Sequence, residues 1–410
     1  MPSPTATFIP DILEEHVEEL AFLWGRRQTA LRDSDYTLRA FSDLEERIAA
    51  HLHGVIAVGE RALPLLEDTL AQDDPLAAFA AAFSLLHSGA DAARSRVLDA
   101  FSHAQGERFT GLRDALCHGP LDPAAPQLDA LFRSGAAPVA IAAGEALAFH
   151  DALPASREDL QRFLRHDDAV VRGHAWRLVG YIGASVDPKN YAAAMREQPG
   201  PTRRAALDAG AWCGEQGILA ACRKLATDAP AQSLDALELL AILGGPDDLP
   251  RFRALADARD LGPTRFRLLG AFGQPALMET VLAGIADPEP ATAAAAGAAF
   301  TKMTGQDVDS DRRAKLPPLG GGEPDEFEGE FQEEVTLPDP ALARRLWERV
   351  QPWGRAGRLC RGLDVSTRLT REAFAALDME SRWEVCMRAR FEGAWSGSPL
   401  RLERFPQRTP

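Results

Sequence analysis

Two histidines separated by one residue, His51-Leu52-His53, form the first grouping in the chain that could hold a metal ion, and their spacing argues against it. On a helix, residues i and i+2 point to different sides, so the two imidazoles cannot meet on one ion without ligands from elsewhere. His166-Asp167-Asp168 is a denser set of ligand types, yet it opens an apolar helical stretch, where an aspartate caps the amides of the first turn. Asp168 is therefore read as an N-cap, and neither a metal nor a cofactor is expected. The chain has no GxSxG elbow, no Walker glycine loop and no GxGxxG at a strand-to-helix junction. Gly320-Gly321-Gly322 stands among carboxylates that would repel phosphate, and it reads as a flexible joint. The chemistry points to a protein that is not an enzyme.

Recognition is the remaining option. Arg172, Arg204 and Arg265 stand early in three helical stretches of similar grammar, and Trp176 and Trp212 follow in the first two. A row of arginines along a groove could bind an anion. An arginine that follows a turn aspartate is also the type that ties neighbouring helix pairs together through a carboxylate, and this tie is the better-founded reading. Tryptophans on a helix pack by default, but on a groove wall they are anchors for a partner. Arg172, Trp176, Arg204, Trp212 and Arg265 together mark the candidate protein-binding groove.

These positions require a scaffold that recurs, and the sequence has one. Short turns rich in Asp, Pro or Gly, at Asp74-Pro75, Gln105-Gly106, Gly135-Ala136, Asp167-Asp168, Pro199-Gly200, Ala229-Pro230, Gly262-Pro263 and Asp287-Pro288, each precede an apolar helical stretch. Successive turns lie about 26 to 33 residues apart, the length of two antiparallel helices and a tight turn. In the copy from Leu160 to Gly183, Asp168 is placed to start the second helix and Gly183 to end it. Val171, Ala175, Leu178, Val179 and Ile182 share one 3.6-period face that must pack on its neighbours. The same grammar recurs over Pro199–Gly217, Asp228–Gly245 and Leu261–Gly273.

This cadence of turn aspartate, early arginine, alanine and terminal Leu-Gly resembles HEAT-like repeats over roughly residues 65 to 305. The expected fold is all-α, a right-handed HEAT-like α-solenoid of about seven to eight helix pairs. HEAT-like repeats also occur in metal-dependent deoxyhypusine hydroxylases with His-Glu dyads and in DNA glycosylases with a basic groove. This chain has no His-Glu dipeptide, and residues 65 to 305 have no sustained Lys/Arg row with interleaved aromatics. Residues 1–64 carry two long amphipathic helices that should cap the first repeat, with Ile9, Leu13, Val17, Leu20 and Trp24 on one inner face and Phe41, Leu44, Ile48, Leu52 and Ile56 on the other. Residues 306–340 form an acidic Gly/Pro-rich linker or strand-like loop. Residues 341–410 form an Arg/Trp-rich α-helical module, with helices expected over 340–351, 370–377 and 378–391.

Charge and cysteine usage narrow the setting. The 410 residues carry a formal charge of -15, which opposes nucleic acid and anionic lipid, so no nucleic acid and no membrane partner is expected. The charge is uneven: residues 341–410 hold 14 Arg against 8 acids, and such a tail should fold back on the acidic remainder or meet an acidic partner. Five cysteines without a CxxC pair read as reduced thiols, and the absence of a signal-peptide pattern fits a cytoplasmic protein.

The N-terminal block, with Leu23-Trp24, Arg27, Leu44, Glu46-Arg47, His51-Leu52, Gly54 and Gly59, and the tail with LWERVQPWGRAGRLCRGL and SRWEVCMRARFE resemble one proteobacterial family of HEAT-like repeat proteins. That family is often encoded near type VI secretion genes, and the resemblance supplies no catalytic residues. It implies a cytoplasmic adaptor or chaperone that binds an effector, toxin or spike protein of the secretion system. The alternatives are an immunity protein that blocks a toxin and a HEAT-like enzyme acting on nucleic acid or on a protein side chain.

Overall fold

The structure is a computed structural model that describes residues 9–153, 157–228, 230–316, 332–349 and 357–406. About 70% of the described residues are helical, and they add only two small antiparallel sheets, so the class is all-α. No described helix is long and apolar enough to cross a membrane. The chain divides into two compact units, residues 1–215 with 378–410, and residues 216–377. These units cut across the expected segments: the 341–410 tail contributes to both of them.

The first unit begins with α1 (Pro10–Ala30) and α2 (Leu38–Val58), which pack against each other and bury Leu13, Val17, Leu20, Leu23 and Trp24 on the first and Phe41, Leu44, Ile48, Leu52 and Val55 on the second. Ile9, expected on the inner face, is 47% exposed. Then come α3 (Leu63–Leu70), α4 (Pro75–His87), α5 (Asp91–His103), α6 (Arg108–His118), α7 (Ala125–Ser134), α8 (Ala137–Phe149), α9 (Arg157–Leu164), α10 (Ala169–Ile182), α11 (Pro188–Ala194) and α12 (Pro201–Cys213). The even-numbered helices pack in series, α4 on α6, α6 on α8, α8 on α10 and α10 on α12, while each odd-numbered helix lies against its even partner. An inner helix meets protein on every side, which explains why α8 (APVAIAAGEALAF) is apolar all round and buried from Val139 to Phe149.

Local signals behave as the sequence indicates. Asp168 Oδ1 accepts the Val170 amide at 2.8 Å, and Gly183 ends α10 in the left-handed region at φ 63°. The α4–α6 crossing depends on Gly111, where an added Cβ would stand 1.9 Å from the Pro75 carbonyl oxygen.

The second unit repeats the arrangement with α13 (Gln216–Asp228), α14 (Leu234–Leu243), α15 (Leu249–Leu255), α16 (Thr264–Phe272), α17 (Met278–Ile285) and α18 (Pro290–Thr304), in which α14, α16 and α18 pack in series. The described residues between 65 and 305 contain no strand. Beyond α18, β1 (Asp309–Lys315) pairs antiparallel with β2 (Glu334–Pro338), from Asp309 opposite Pro338 to Lys315 opposite Glu334. The linker expected over 306–340 is thus framed by strands, and its residues 317–331 lie outside the described residues. A helix over Pro340–Arg349, a short hairpin of β3 (Leu359–Cys360) and β4 (Leu363–Asp364), and a helix over Arg371–Ala375 complete the unit.

The basic tail runs against helix C-termini, whose last carbonyls lack intrahelical donors. In the first unit Arg390 Nε donates to the Trp212 carbonyl of α12 at 2.9 Å, and Ser398 Oγ to the Tyr181 carbonyl of α10 at 2.7 Å. Arg404 reaches the Ala148 carbonyl of α8 at 3.2 Å and grips both oxygens of Asp151 at 2.8 Å. The Trp383 and Trp395 rings meet Trp212 edge-on. In the second unit the buried Arg358 donates to the carbonyls of Ala241, Gly244 and Ala271 at the ends of α14 and α16. Trp347 is half-buried, and Trp353 lies outside the described residues.

Candidate functional site

The inner helices of the first unit border a recess of about 480 Å3, closed at one side by the tail residues Trp383, Pro399 and Glu403. Its deepest layer is a charge network. Glu145, the one acid in the apolar run of α8, is 2% exposed and accepts from His174 Nδ1 of α10 at 2.9 Å. Arg113 of α6 stands 3.7 Å from the second Glu145 oxygen and donates from Nε and Nη2 to Asp114 Oδ1 at 3.0 and 2.7 Å. Gln28 of α1 holds the other Asp114 oxygen at 3.3 Å. Burial opposes ionisation of Glu145, but His174, Arg113 and Arg177 outweigh it and bring its pKa down from 4.5 to about 2.

Closer to the opening the balance changes. Arg32, Arg177 and Arg204 keep 49%, 45% and 38% of their side chains exposed, whereas Glu403, Asp208 and Asp114 keep 15%, 21% and 17%. Four arginines and four carboxylates border the recess, yet solvent in it meets mainly guanidinium. Arg32 and Arg177 reach carboxylates only at ion-pair distance: Arg32 stands 3.9 Å from Glu403, and Arg177 stands 4.0 Å from Glu145. The Arg32 guanidinium lies 3.9 Å from the centre of the Trp383 ring. Arg204 pairs with Asp208 one turn along α12, at 3.3 Å.

The proton-bearing groups of the wall are quiet. Burial pushes the Cys117 thiol and the Tyr181 phenol well up, so both keep their protons at neutral pH. Tyr181 donates to Glu403 Oε2 at 2.9 Å. Burial likewise raises the Glu403 carboxyl, against Arg32, Tyr181, Arg177 and Arg27. The arrangement can hold an anion or an amphipathic group by charge and ring contact.

Of the residues singled out from sequence, Trp176, Arg204 and Trp212 border this recess. Arg172 and Arg265 do not. Arg172 forms a two-point pair with Glu197 at 3.1 and 3.0 Å and donates to the His166 and Asp167 carbonyls, both at 2.8 Å, which is a tie between helix pairs. Arg265, in the second unit, is buried over Phe266 and donates to the Gly262 carbonyl at 2.6 Å. His51 faces His16, Nδ1 to Nδ1 at 3.1 Å, while His53 is exposed. His166 Nδ1 accepts the Asp168 amide at 3.0 Å. No group of three or more possible metal ligands occurs among the described residues.

Sequence reasoning missed Glu145, Arg113, Arg177, Arg32 and Glu403. Glu145 carried a signal, because a lone acid in an otherwise apolar helix must be paired when buried. Glu403 carried none: its partner Tyr181 is 222 residues away. Fold and site define an all-α protein of serially packed helix pairs with a charged, tryptophan-walled recess. No family model and no curated protein matches the chain.

Proposed function

We propose that the chain is a HEAT-like α-solenoid acting as a non-catalytic protein-binding scaffold, with the recess of the first unit as its interface. The observation that carries this reading is the convergence of the exposed Arg32, Arg177 and Arg204, supplied by the turn after α1, by α10 and by α12, over the buried Trp176, Trp212 and Trp383. Arginine is among the residues that dominate binding energy at protein interfaces, and a concave, partly desolvated setting increases its effect. The serial packing of inner helices in each unit supports the repeat reading. The resemblance of the N-terminal block and the tail to a type VI-associated family supports an adaptor or chaperone for an effector or spike component, in the cytoplasm.

The test has two stages. The full-length tagged chain is used for affinity capture in its native host, and captured proteins are identified by mass spectrometry. The purified captured protein is then titrated against the wild type and against the Arg177→Glu/Arg204→Glu variant. A secretion effector or spike component is expected, with affinity reduced about tenfold or more in the variant. Unchanged affinity would remove the recess as the interface, and capture without any secretion component would remove the adaptor role.

A further inference from the structure

The recess is selective in the sign of charge it shows. Its carboxylates are either buried beneath other groups, as Glu145 is under His174 and Arg113, or turned to partners, as Glu403 is to Tyr181. Among the described residues the Arg177 side chain makes no hydrogen bond, and its nearest carboxylate, on Glu145, is 4.0 Å away. Arg32 is placed similarly, stacked on Trp383 with Glu403 at 3.9 Å. Guanidinium groups that are half exposed and held at ion-pair but not hydrogen-bond distance have donors available for a planar oxyanion. Such cations inside a molecule of net charge -15 run against its overall field, so they are not a sample of its general surface.

Resting on the protein-binding reading, we infer that the group the recess takes is a carboxylate, from an acidic side chain or the C-terminus of a partner segment, with Arg177 and Arg32 as its principal cations and Arg204 in support. Trp176 and Trp212, 1% and 3% exposed, back the recess by packing on Tyr191 and on Trp383 and Trp395, so the arginines make the contact. The whole chain is acidic, so outside the recess a polyanion meets long-range repulsion that grows with its charge, whereas the Arg177 and Arg32 forks at the recess match one planar carboxylate. A volume of about 480 Å3 suits one or two residues rather than a folded element.

The experiment uses the full-length protein and four small probes, read by titration calorimetry and by the fluorescence of the tryptophans. N-acetyl-glutamate amide presents a side-chain carboxylate and N-acetyl-leucine a terminal one; N-acetyl-glutamine amide is the neutral isostere, and inorganic phosphate the competing anion. One of the two carboxylates is expected to bind, and which of them binds identifies the source. The isostere should bind about tenfold or more weakly, and Arg177→Gln should weaken the carboxylate by a similar factor. Arg133→Gln, outside the recess, should leave binding unchanged. If Arg177→Gln does not melt like the wild type, Arg204→Lys replaces it; it keeps the charge but loses the fork, with weakening of severalfold expected. Binding of neither carboxylate, equal binding of the isostere, tighter binding of phosphate, or wild-type affinity in a folded Arg177→Gln would each overturn the inference. A captured protein that still binds in a way sensitive to recess substitutions, while no carboxylate binds, sinks this inference and leaves the scaffold reading standing.

Discussion

Arg27 and Glu45 tie α1 to α2, and both are almost entirely withdrawn from water, with side-chain exposures of 0% and 10%. Nε and Nη2 of Arg27 donate to the same Glu45 oxygen at 3.0 and 2.8 Å, and Nη2 also reaches the Glu403 carbonyl of the tail at 2.8 Å. The rings of Trp24, Phe41 and Phe405 surround the guanidinium, centred 5.2, 5.2 and 5.5 Å away. In Arg27→Met the thioether keeps most of the ring contact, but the buried Glu45 carboxylate and the Glu403 carbonyl lose the donors that Arg27 supplies. Removing one partner of a buried pair costs about 3–5 kcal/mol, and Glu45→Leu should cost about the same by stranding the guanidinium. The double variant Arg27→Met/Glu45→Leu strands no charge. It leaves the Glu403 carbonyl without the Arg27 donor, about 1–3 kcal/mol, offset by the gain of about 1–4 kcal/mol usual when a buried pair becomes apolar. It should therefore lie within about 2 kcal/mol of the wild type, with a coupling energy of about 3 kcal/mol or more. Urea unfolding followed by far-UV circular dichroism and tryptophan fluorescence measures all four proteins, each transition being fitted separately because the chain has two compact units. A double variant as unstable as the two single losses combined would refute the claim that the cost lies in an uncompensated buried charge.

The Glu145 pKa, brought down from 4.5 to about 2, means that the network stabilises the fold above the ordinary carboxylate range and loses that stability as pH falls toward 2. Thermal melts from about pH 6 to about pH 2.5 should show that decline, and Glu145→Gln should be less stable at pH 6 with a shallower acid slope; an unchanged slope would refute the assignment. Gly111→Ala should cost about 3 kcal/mol or more, because its Cβ would meet the Pro75 carbonyl at 1.9 Å and the Phe79 nitrogen at 2.8 Å, both backbone atoms. The control Gly245→Ala has nothing within 4 Å and a φ of -105°, so its melting curve should match the wild type to within about 0.5 kcal/mol.

Legibility followed the range of the interaction. The caps of α10, its buried face and the alternation of helices were all readable, because Asp168, Gly183 and the 3.6-period run from Val171 act within a few residues. Trp176 and Trp212 could be marked as groove candidates, since a tryptophan in a repeated helix has few places to go; that they border one recess depends on how α10 meets α12. Arg172 shows the limit of residue type. It has the composition of an anion site and the geometry of a tie, and only the position of Glu197, 25 residues on, decides between them. The recess cations Arg32 and Arg177 were invisible for the same reason: exposed arginines occur along the chain, Arg47, Arg96 and Arg133 among them, and nothing local states which of them face a cavity.

The tail shows how a charge imbalance can be real and still mislead about its partner. An excess of 14 Arg over 8 acids in residues 341–410 suggests pairing with carboxylates, but Arg390 and Arg358 go to backbone carbonyls, and Arg404 divides its donors between a carbonyl and Asp151. Each of these carbonyls belongs to a helix C-terminus, which carries roughly half a negative charge and up to four acceptors without intrahelical donors. The need for a donor is local to α8 or α12, while the donor comes from 256 or 178 residues further along the chain, so no window of sequence contains both. These arginines answer helix dipoles and do little to neutralise acidic side chains, which leaves most of the acidic excess on the rest of the protein. An approaching anion is then repelled at long range and held only once it is inside the recess, where Arg32 and Arg177 stand within hydrogen-bonding reach; at physiological salt the repulsion is screened over about 8 Å. With exposed arginines toward the opening and Glu145 beneath them, the recess meets an anion with guanidinium first, while the acidic remainder of the molecule opposes it at long range in proportion to its charge.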